Sequence, residues 1–223
     1  IMKSFTDNKG LVLAITFGLI LTIAGLMGMI EKRGGNVLAA TATQTVEVSA
    51  TVQPWIQFTV SATSAPLTPD LVDTGGTVRI GSSTNITLNV GTNAQQGWSL
   101  TIQGKYGGLC HSSATGTSCA TTTENLIASV ATAGTTTISA GADYYGANAT
   151  NSTSTATVGS YYKFWNTDIV GAIASSTSQT LATSSIPHAT TSVALLKVRA
   201  ASQQEQKSGT YYDTVTLTAT TVP

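Results

Sequence analysis

The chain has 223 residues, of which only 9% are charged, and its 10 basic and 10 acidic residues give a formal net charge of +0. About a quarter of the residues are charged in an ordinary soluble domain, so the polarity of this chain comes mainly from threonine, serine, asparagine and glutamine. A neutral chain has no overall field that attracts nucleic acid, and we expect no nucleic-acid partner. The hydroxyl-rich, β-branched composition indicates an exported all-β protein.

An apolar run without charge, LVLAITFGLILTIAGLMGMI, occupies residues 11–30. As a helix it would be about 30 Å long, which matches the hydrocarbon thickness of a bilayer. A cleavable export signal usually has a shorter apolar core of about 7 to 15 residues, with small residues directly after it. We therefore predict an apolar α-helix within residues 1–35 that the mature protein keeps as an anchor or filament core. A signal segment that is discarded on export is the alternative.

The start of this run, Lys9-Gly10 followed by an apolar helix, resembles the leader junction of type IV prepilins and archaeal pilins. In those families a peptidase cuts after the glycine, and the helix then packs into the core of a filament. This chain has Ile15 at the fifth residue after the junction, where bacterial type IV pilins carry a glutamate. The resemblance implies a subunit that the helix holds in the membrane before assembly. Close packing of such helices would be favoured by three small residues, Gly18, Gly25 and Gly28.

Beyond residue 40 the period of the apolar residues changes to two, which predicts half-buried strands. In TQTVEVSATVQ, residues 43–53, this period places four apolar side chains on one face: Val46, Val48, Ala50 and Val52. Further strands with the same alternation are predicted around Ile56–Val60, Ile86–Val90, Trp98–Ile102, Ala194–Val198 and Tyr211–Ala219. We predict an antiparallel β-sandwich of Ig-like or jelly-roll-like type over residues 44–223, joined to the helix by a linker at 36–43.

The closing stretch, SGTYYDTVTLTATTVP, resembles the last strand of secreted β-sandwich surface proteins, including spore-coat-U-like and fimbrial-type domains. The stretch GTNAQQGWSLTIQG likewise resembles a strand-turn-strand of those proteins. The resemblance implies a structural or adhesive surface role and no reaction. Tyr211 and Asp213 are most simply interpreted as a buried aromatic ring and a carboxylate that caps the turn before the strand.

The two cysteines, Cys110 and Cys119, enclose a loop of small and polar residues. In an exported chain an even number of cysteines favours a disulfide, and closing this loop should stabilise the fold by about 2.7 kcal/mol. A metal site built from these cysteines and His111 is the rival interpretation. It has no fourth ligand at a familiar spacing, so we predict a disulfide and neither metal nor cofactor.

Catalytic motifs are missing from the sequence. The histidines are His111 and His188, and the chain has no nucleophile elbow, zinc-protease pair, phosphate loop or dinucleotide fingerprint. We therefore do not expect an enzyme.

Six of the seven tyrosines form three adjacent pairs, and in a strand each pair should turn one ring to the core and the other outward. Exposed aromatic rings stack on sugars or bury large areas at protein interfaces. Trp98 is expected in the core. The candidate contacts for a glycan or a protein partner are Tyr145, Tyr162, Trp165 and Tyr212.

Taken together, these patterns favour a structural subunit of an extracellular, pilus-like filament or cell-surface layer, a polymer of identical chains. Low charge, hydroxyl-rich strands and an apolar N-terminal helix all suit dense packing. The alternative is a membrane-anchored or secreted adhesin, a β-sandwich module that binds glycans.

Overall fold

The computed structural model describes residues 41–112, 119, 125–130, 134–153, 155–187 and 192–222. The predicted helix within residues 1–35, with Gly18, Gly25 and Gly28, lies outside these residues. In the described part of the chain, no helix is long and apolar enough to span a membrane. Residues 50–223 form one compact unit.

The described residues form fourteen strands, which the all-β prediction anticipated. In chain order they are β1 (Ile56–Val60), β2 (Ile80–Ser82), β3 (Ile86–Thr92), β4 (Trp98–Gly104), β5 (Gly108–His111), β6 (Leu126–Ala128), β7 (Thr135–Thr137), β8 (Tyr144–Asn151), β9 (Thr157–Val158), β10 (Ile169–Gly171), β11 (Gln179–Ser184), β12 (Ser192–Ala201), β13 (Tyr211–Tyr212) and β14 (Val215–Thr221).

The strands pair into three antiparallel sheets. The largest has the order β1-β3-β12-β8-β10-β7, with β2 beside the end of β12. A second sheet has the order β14-β4-β11-β9, and a small third sheet has the order β13-β5-β6. The longest ladders are those of β12 with β8, from Ala194↔Asn151 to Ala201↔Tyr144, and of β14 with β4, from Val215↔Gly104 to Thr221↔Trp98.

The apolar side chains of the two larger sheets pack into one core cluster. The two-residue period predicted this for three strands, since each places every second side chain in that cluster. These inward residues are Ile86, Leu88 and Val90 of β3, Trp98, Leu100 and Ile102 of β4, and Ala194, Leu196 and Val198 of β12. The prediction of an all-β fold with antiparallel sheets is confirmed, and a second, smaller cluster forms around Val130, Ile138 and Val170.

The turn before β4 explains why Gly97 is needed there. Its backbone has φ +80°, its N–H donates to the carbonyl of Ala94, and a Cβ at this position would lie 2.0 Å from the carbonyl oxygen of Ser184. A residue with a side chain would therefore be strained in conformation and would also clash with the backbone. The tight turn brings Trp98 directly into the core.

One local prediction is wrong. The described residues 41–55 form no strand, although 43–53 alternates as regularly as β3 does.

Candidate functional site

A groove of about 1110 Å³ opens between β1 and β14, the first and last strands of the compact unit. Phe58 and Val60 of β1 line one side, and Val215 and Leu217 of β14 line the other. Deeper in the groove lie core residues of the largest sheet and of the short strands, among them Ile86, Leu196, Val198 and Ile127. The groove is thus an opening into the apolar core.

The inward side chains of the two bordering strands are only half-buried. Successive residues of β14 alternate between half-buried and exposed, whereas successive residues of the neighbouring strand β4 alternate between buried and half-buried. Phe58 and Val60 of β1 are half-buried in the same way. An apolar residue that faces the core is normally well covered, so residues within 62–73 and 202–213, which also line the groove, cover this border only in part.

Both bordering strands are edge strands. Within the described residues, β1 pairs only with β3, and β14 pairs only with β4. Proteins usually protect such edges with charged residues, proline or a bulge, because exposed backbone N–H and C=O groups are a template for another strand. The sequences IQFTV and VTLTATT contain neither a charged residue nor a proline.

One end of the groove is polar and is built around Asp213. The Oδ1 atom of this carboxylate accepts the backbone N–H groups of Lys105, Tyr106 and Thr214 at 3.0, 3.1 and 2.8 Å. The hydroxyl of Tyr145 faces the same carboxylate, and burial, together with this negative charge, raises the pKa of Tyr145 well above its ordinary value. Burial likewise raises the pKa of Asp213, against the opposing effect of the backbone N–H groups. Through these backbone contacts Asp213 holds the bend between β13 and β14 against the end of β4.

A loop that lines the groove is shaped by a second carboxylate, Asp73. Its Oδ1 accepts the N–H groups of Gly75 and Thr77, both at 2.9 Å, and its Oδ2 forms an ion pair with Arg79 at 2.6 Å. The Thr77 N–H bond, with the Gly75 bond and the Arg79 charge, keeps the pKa of Asp73 below its ordinary value. This arrangement holds a turn in place beside Leu71 and leaves the carboxylate without a free role in binding.

The described segment before β1, residues 41–55, is exposed and has no regular secondary structure. Its valines lie at 82% (Val46), 88% (Val48) and 81% (Val52) of full exposure, the highest values of the large apolar residues described. Its end is fixed to the compact unit by Asn93, whose Oδ1 accepts the N–H of Trp55 at 2.7 Å and whose Nδ2 donates to the carbonyl of Gln53 at 2.9 Å.

The tyrosine pairs alternate as predicted, but two of the chosen rings are the inward ones. Tyr145 and Tyr162 are 1% and 0% exposed, while their neighbours Tyr144 and Tyr161 are each 37% exposed. Tyr145 shares its face of β8 with buried alanines, Ala147 and Ala149, and this period was a signal that it points inward. Tyr145 and Tyr162 are therefore both buried in the core cluster of this unit.

The other two candidates are accessible. Tyr212 is 41% exposed and packs edge-to-face on Tyr106, whose ring also lies 4.9 Å from the Lys105 ammonium. Trp165 is half-buried, with the Lys197 ammonium 4.8 Å from its ring. Tyr212 and Trp165 belong to separate strands and loops, and only Tyr212 borders the groove.

The predicted disulfide between Cys110 and Cys119 is confirmed, with a Cα–Cα distance of 5.4 Å. His111 beside it is buried. Its Nε2 is 3.0 Å from the carbonyl oxygen of Ser208, and its ring packs edge-on against Tyr211. His188 lies outside the described residues. Among the residues that the structure describes, no three metal-ligating side chains come together.

The chain matches no protein-family model, no curated protein and no solved structure. Its function therefore has to be argued from the groove, its edge strands and the exposed valines. Sequence reasoning did not find the groove, since an alternating strand looks the same whether or not its neighbour is present.

Proposed function

We propose that the protein is a structural subunit of an extracellular filament or cell-surface layer, a β-sandwich that polymerises with identical copies. The observation that carries the proposal is the exposure of Val46, Val48 and Val52 in a segment with the period of a strand. Full burial of a valine contributes about 1.5 kcal/mol or more, so leaving three of them in water is costly unless assembly covers them.

Other features support an assembly role. The disulfide between Cys110 and Cys119 suits an oxidising, extracellular setting. The unprotected edges of β1 and β14 are unusual in a protein that remains monomeric. The retained apolar run at residues 11–30, which we propose packs against copies of itself, would add a second contact between subunits.

The test is to shear surface material from cells that make the full chain, then to image it and sequence its N-terminus. We expect regular polymers whose subunit retains residues 11–30. Surface protein that sediments only as a monomer would overturn the polymer, and a mature chain starting near Ala40 or Thr41 would overturn retention of the helix.

A second candidate is the adhesin that binds glycans, and the exposed ring of Tyr212 beside Tyr106 favours it. Stacking on such a ring binds a sugar through its apolar face. If this is the function, Tyr212→Ala should abolish binding on a glycan array, while Tyr144→Ala, which removes an equally exposed ring elsewhere, should leave it unchanged. If the protein bound no glycan on the array, this candidate function would be rejected.

A further inference from the structure

We propose that the groove between β1 and β14 binds the alkyl chain of a single-chain lipid, whose head group stays in water between the two loops at the mouth. These mouth loops are residues 62–73 and 202–213, which contribute to the lining of the groove together with the strands. Such binding goes beyond the proposed function, because one subunit would bind the lipid by itself.

The walls of the groove are suited to a hydrocarbon. Six strands contribute uncharged, apolar side chains to them: Phe58, Ile86, Leu109, Ile127, Leu196 and Leu217. Two carboxylates that also line the groove, Asp73 and Asp213, accept backbone N–H groups of the protein itself. A polar ligand such as a sugar needs several polar groups that converge on it, whereas an alkyl chain needs only apolar cover. The lining therefore fits a chain of methylene groups.

The volume of the groove is larger than a protein leaves empty. Protein interiors are close-packed and their voids are small, and pockets for small molecules measure about 300 to 1,000 Å³. The groove, at about 1110 Å³, lies just above that range. An apolar cavity of about 150 Å³ is already large enough to bind benzene, so this groove has room for a long chain.

Both mouth loops are tied to the sheets, which holds the mouth open. In the first loop, Thr68 and Ser82 exchange two backbone hydrogen bonds, both of 3.0 Å. At the start of the second loop, the N–H of Gln203 donates to the Oδ1 atom of Asp143 at 2.8 Å. A preformed site binds its ligand without the cost of ordering its walls.

The mouth carries charges of both signs. Asp70 lies on the first mouth loop and Lys207 on the second, and both residues are exposed. Electrostatic complementarity selects a partner where one sign of charge dominates, and neither sign dominates here. We therefore expect the length of the alkyl chain, and not the charge of the head group, to decide the affinity.

The first experiment titrates the full chain with octanoate, decanoate and dodecanoate below their micelle concentrations and measures Kd by calorimetry. Burial of each added methylene should lower the Kd about fourfold, so each step of two methylenes should lower it about fifteenfold. Dodecyltrimethylammonium, which has the same chain and the opposite charge, should bind within about threefold of dodecanoate. The stoichiometry in the groove should be one chain per subunit.

Groove variants are needed as well, because the apolar residues 11–30 can adsorb the same amphiphiles. Val60→Trp places a large ring in the groove, and Thr59→Trp places the same ring on the opposite, exposed face of β1. Val215→Trp and Thr216→Trp form the equivalent pair on β14. Each groove variant should bind dodecanoate at least about tenfold more weakly, and each outward variant should bind it as the natural chain does. Circular dichroism and melting curves confirm that each variant is folded.

The results decide the two proposals separately. Dodecanoate binding that weakens in a folded groove variant and is unchanged in its outward partner supports the lipid site. Absence of binding, a Kd that does not depend on chain length, or equal binding by the natural chain, Val60→Trp and Val215→Trp overturns it. Polymers in the sheared fraction neither require nor exclude a bound lipid, so failure of the lipid site leaves the subunit role intact.

Discussion

Asp213 joins the bend before β14 to the end of β4 through three backbone N–H groups. Burial is the main cause that raises its pKa, and the N–H groups of Tyr106 and Lys105 act against it. The native state therefore binds a proton at this carboxyl more readily than the unfolded chain does. This linkage makes a stabilising contribution that is complete below the unfolded pKa of about 3.9 and is lost as the pH rises through the native value.

We predict that Asp213→Asn removes this pH dependence. As the pH falls from about 7 to about 4, the natural chain should gain unfolding free energy relative to the variant, because only the natural chain takes up the proton there. Urea unfolding at a series of pH values measures the difference. Glu205→Gln, which removes an exposed carboxylate, is the control for loss of one charge. A difference that stays constant across the range would contradict the prediction.

The disulfide gives a second prediction at the level of residues. Replacing Cys110 and Cys119 together by serine should lower the unfolding free energy by about 2.7 kcal/mol, because the unfolded chain is no longer closed into a loop. Denaturant unfolding of the natural and double-serine chains measures this, and the intact mass should confirm the loss of two hydrogens in the natural protein. Equal stability of the two chains would mean that the bridge does not constrain the unfolded state.

At the level of elements, the border strand β14 should respond to mutation less than the central strand β4. Leu100 is fully buried, and Leu100→Ala should cost about 2 to 5 kcal/mol. Leu217 is only half-buried in the subunit, so Leu217→Ala should cost less there, about 1 to 2 kcal/mol. Thermal melts of the natural chain and of both variants, with Thr216→Ser as the outward control, measure the two costs. Equal costs at Leu100 and Leu217 would mean that the groove is closed in solution.

The strands show what the sequence can predict and why it stops there. Alternation identifies the apolar face of a strand. In β3, β4 and β12 that face is buried in the core, because each of these strands lies between two neighbouring strands. The same alternation in residues 43–53 predicted a strand that the subunit does not form. The pattern indicates that an apolar face should be buried, but it does not indicate which part of the protein, or which chain, buries it.

The tyrosines show the same limit on a smaller scale. The period of two predicted that one ring of each pair is buried, and this is so for Tyr145 and Tyr162, whereas Tyr211 is only half-buried. The choice between the two rings depends on the phase of the strand, which Ala147 and Ala149 set for Tyr145. Tyr162 follows no such run, because it lies in a turn and is held there by its hydroxyl, which donates to the carbonyl of Ala172.

For the whole molecule, the charge pattern decides how the proposed polymer should respond to salt. The chain is neutral overall, β1 and β14 carry no charge, and the exposed residues 43–53 carry only Glu47. Association would therefore depend on apolar burial and backbone hydrogen bonds, which salt does not screen.

We predict that sheared polymer stays intact when NaCl is raised from about 0.05 M to about 1 M, where the Debye length falls to about 3 Å. Urea, which solvates both apolar and peptide groups, should release subunits. Sedimentation of the same preparation under each condition, with sodium sulfate as a salt that strengthens apolar association, measures the outcome. Release of subunits by NaCl alone would show that charged contacts hold the polymer together.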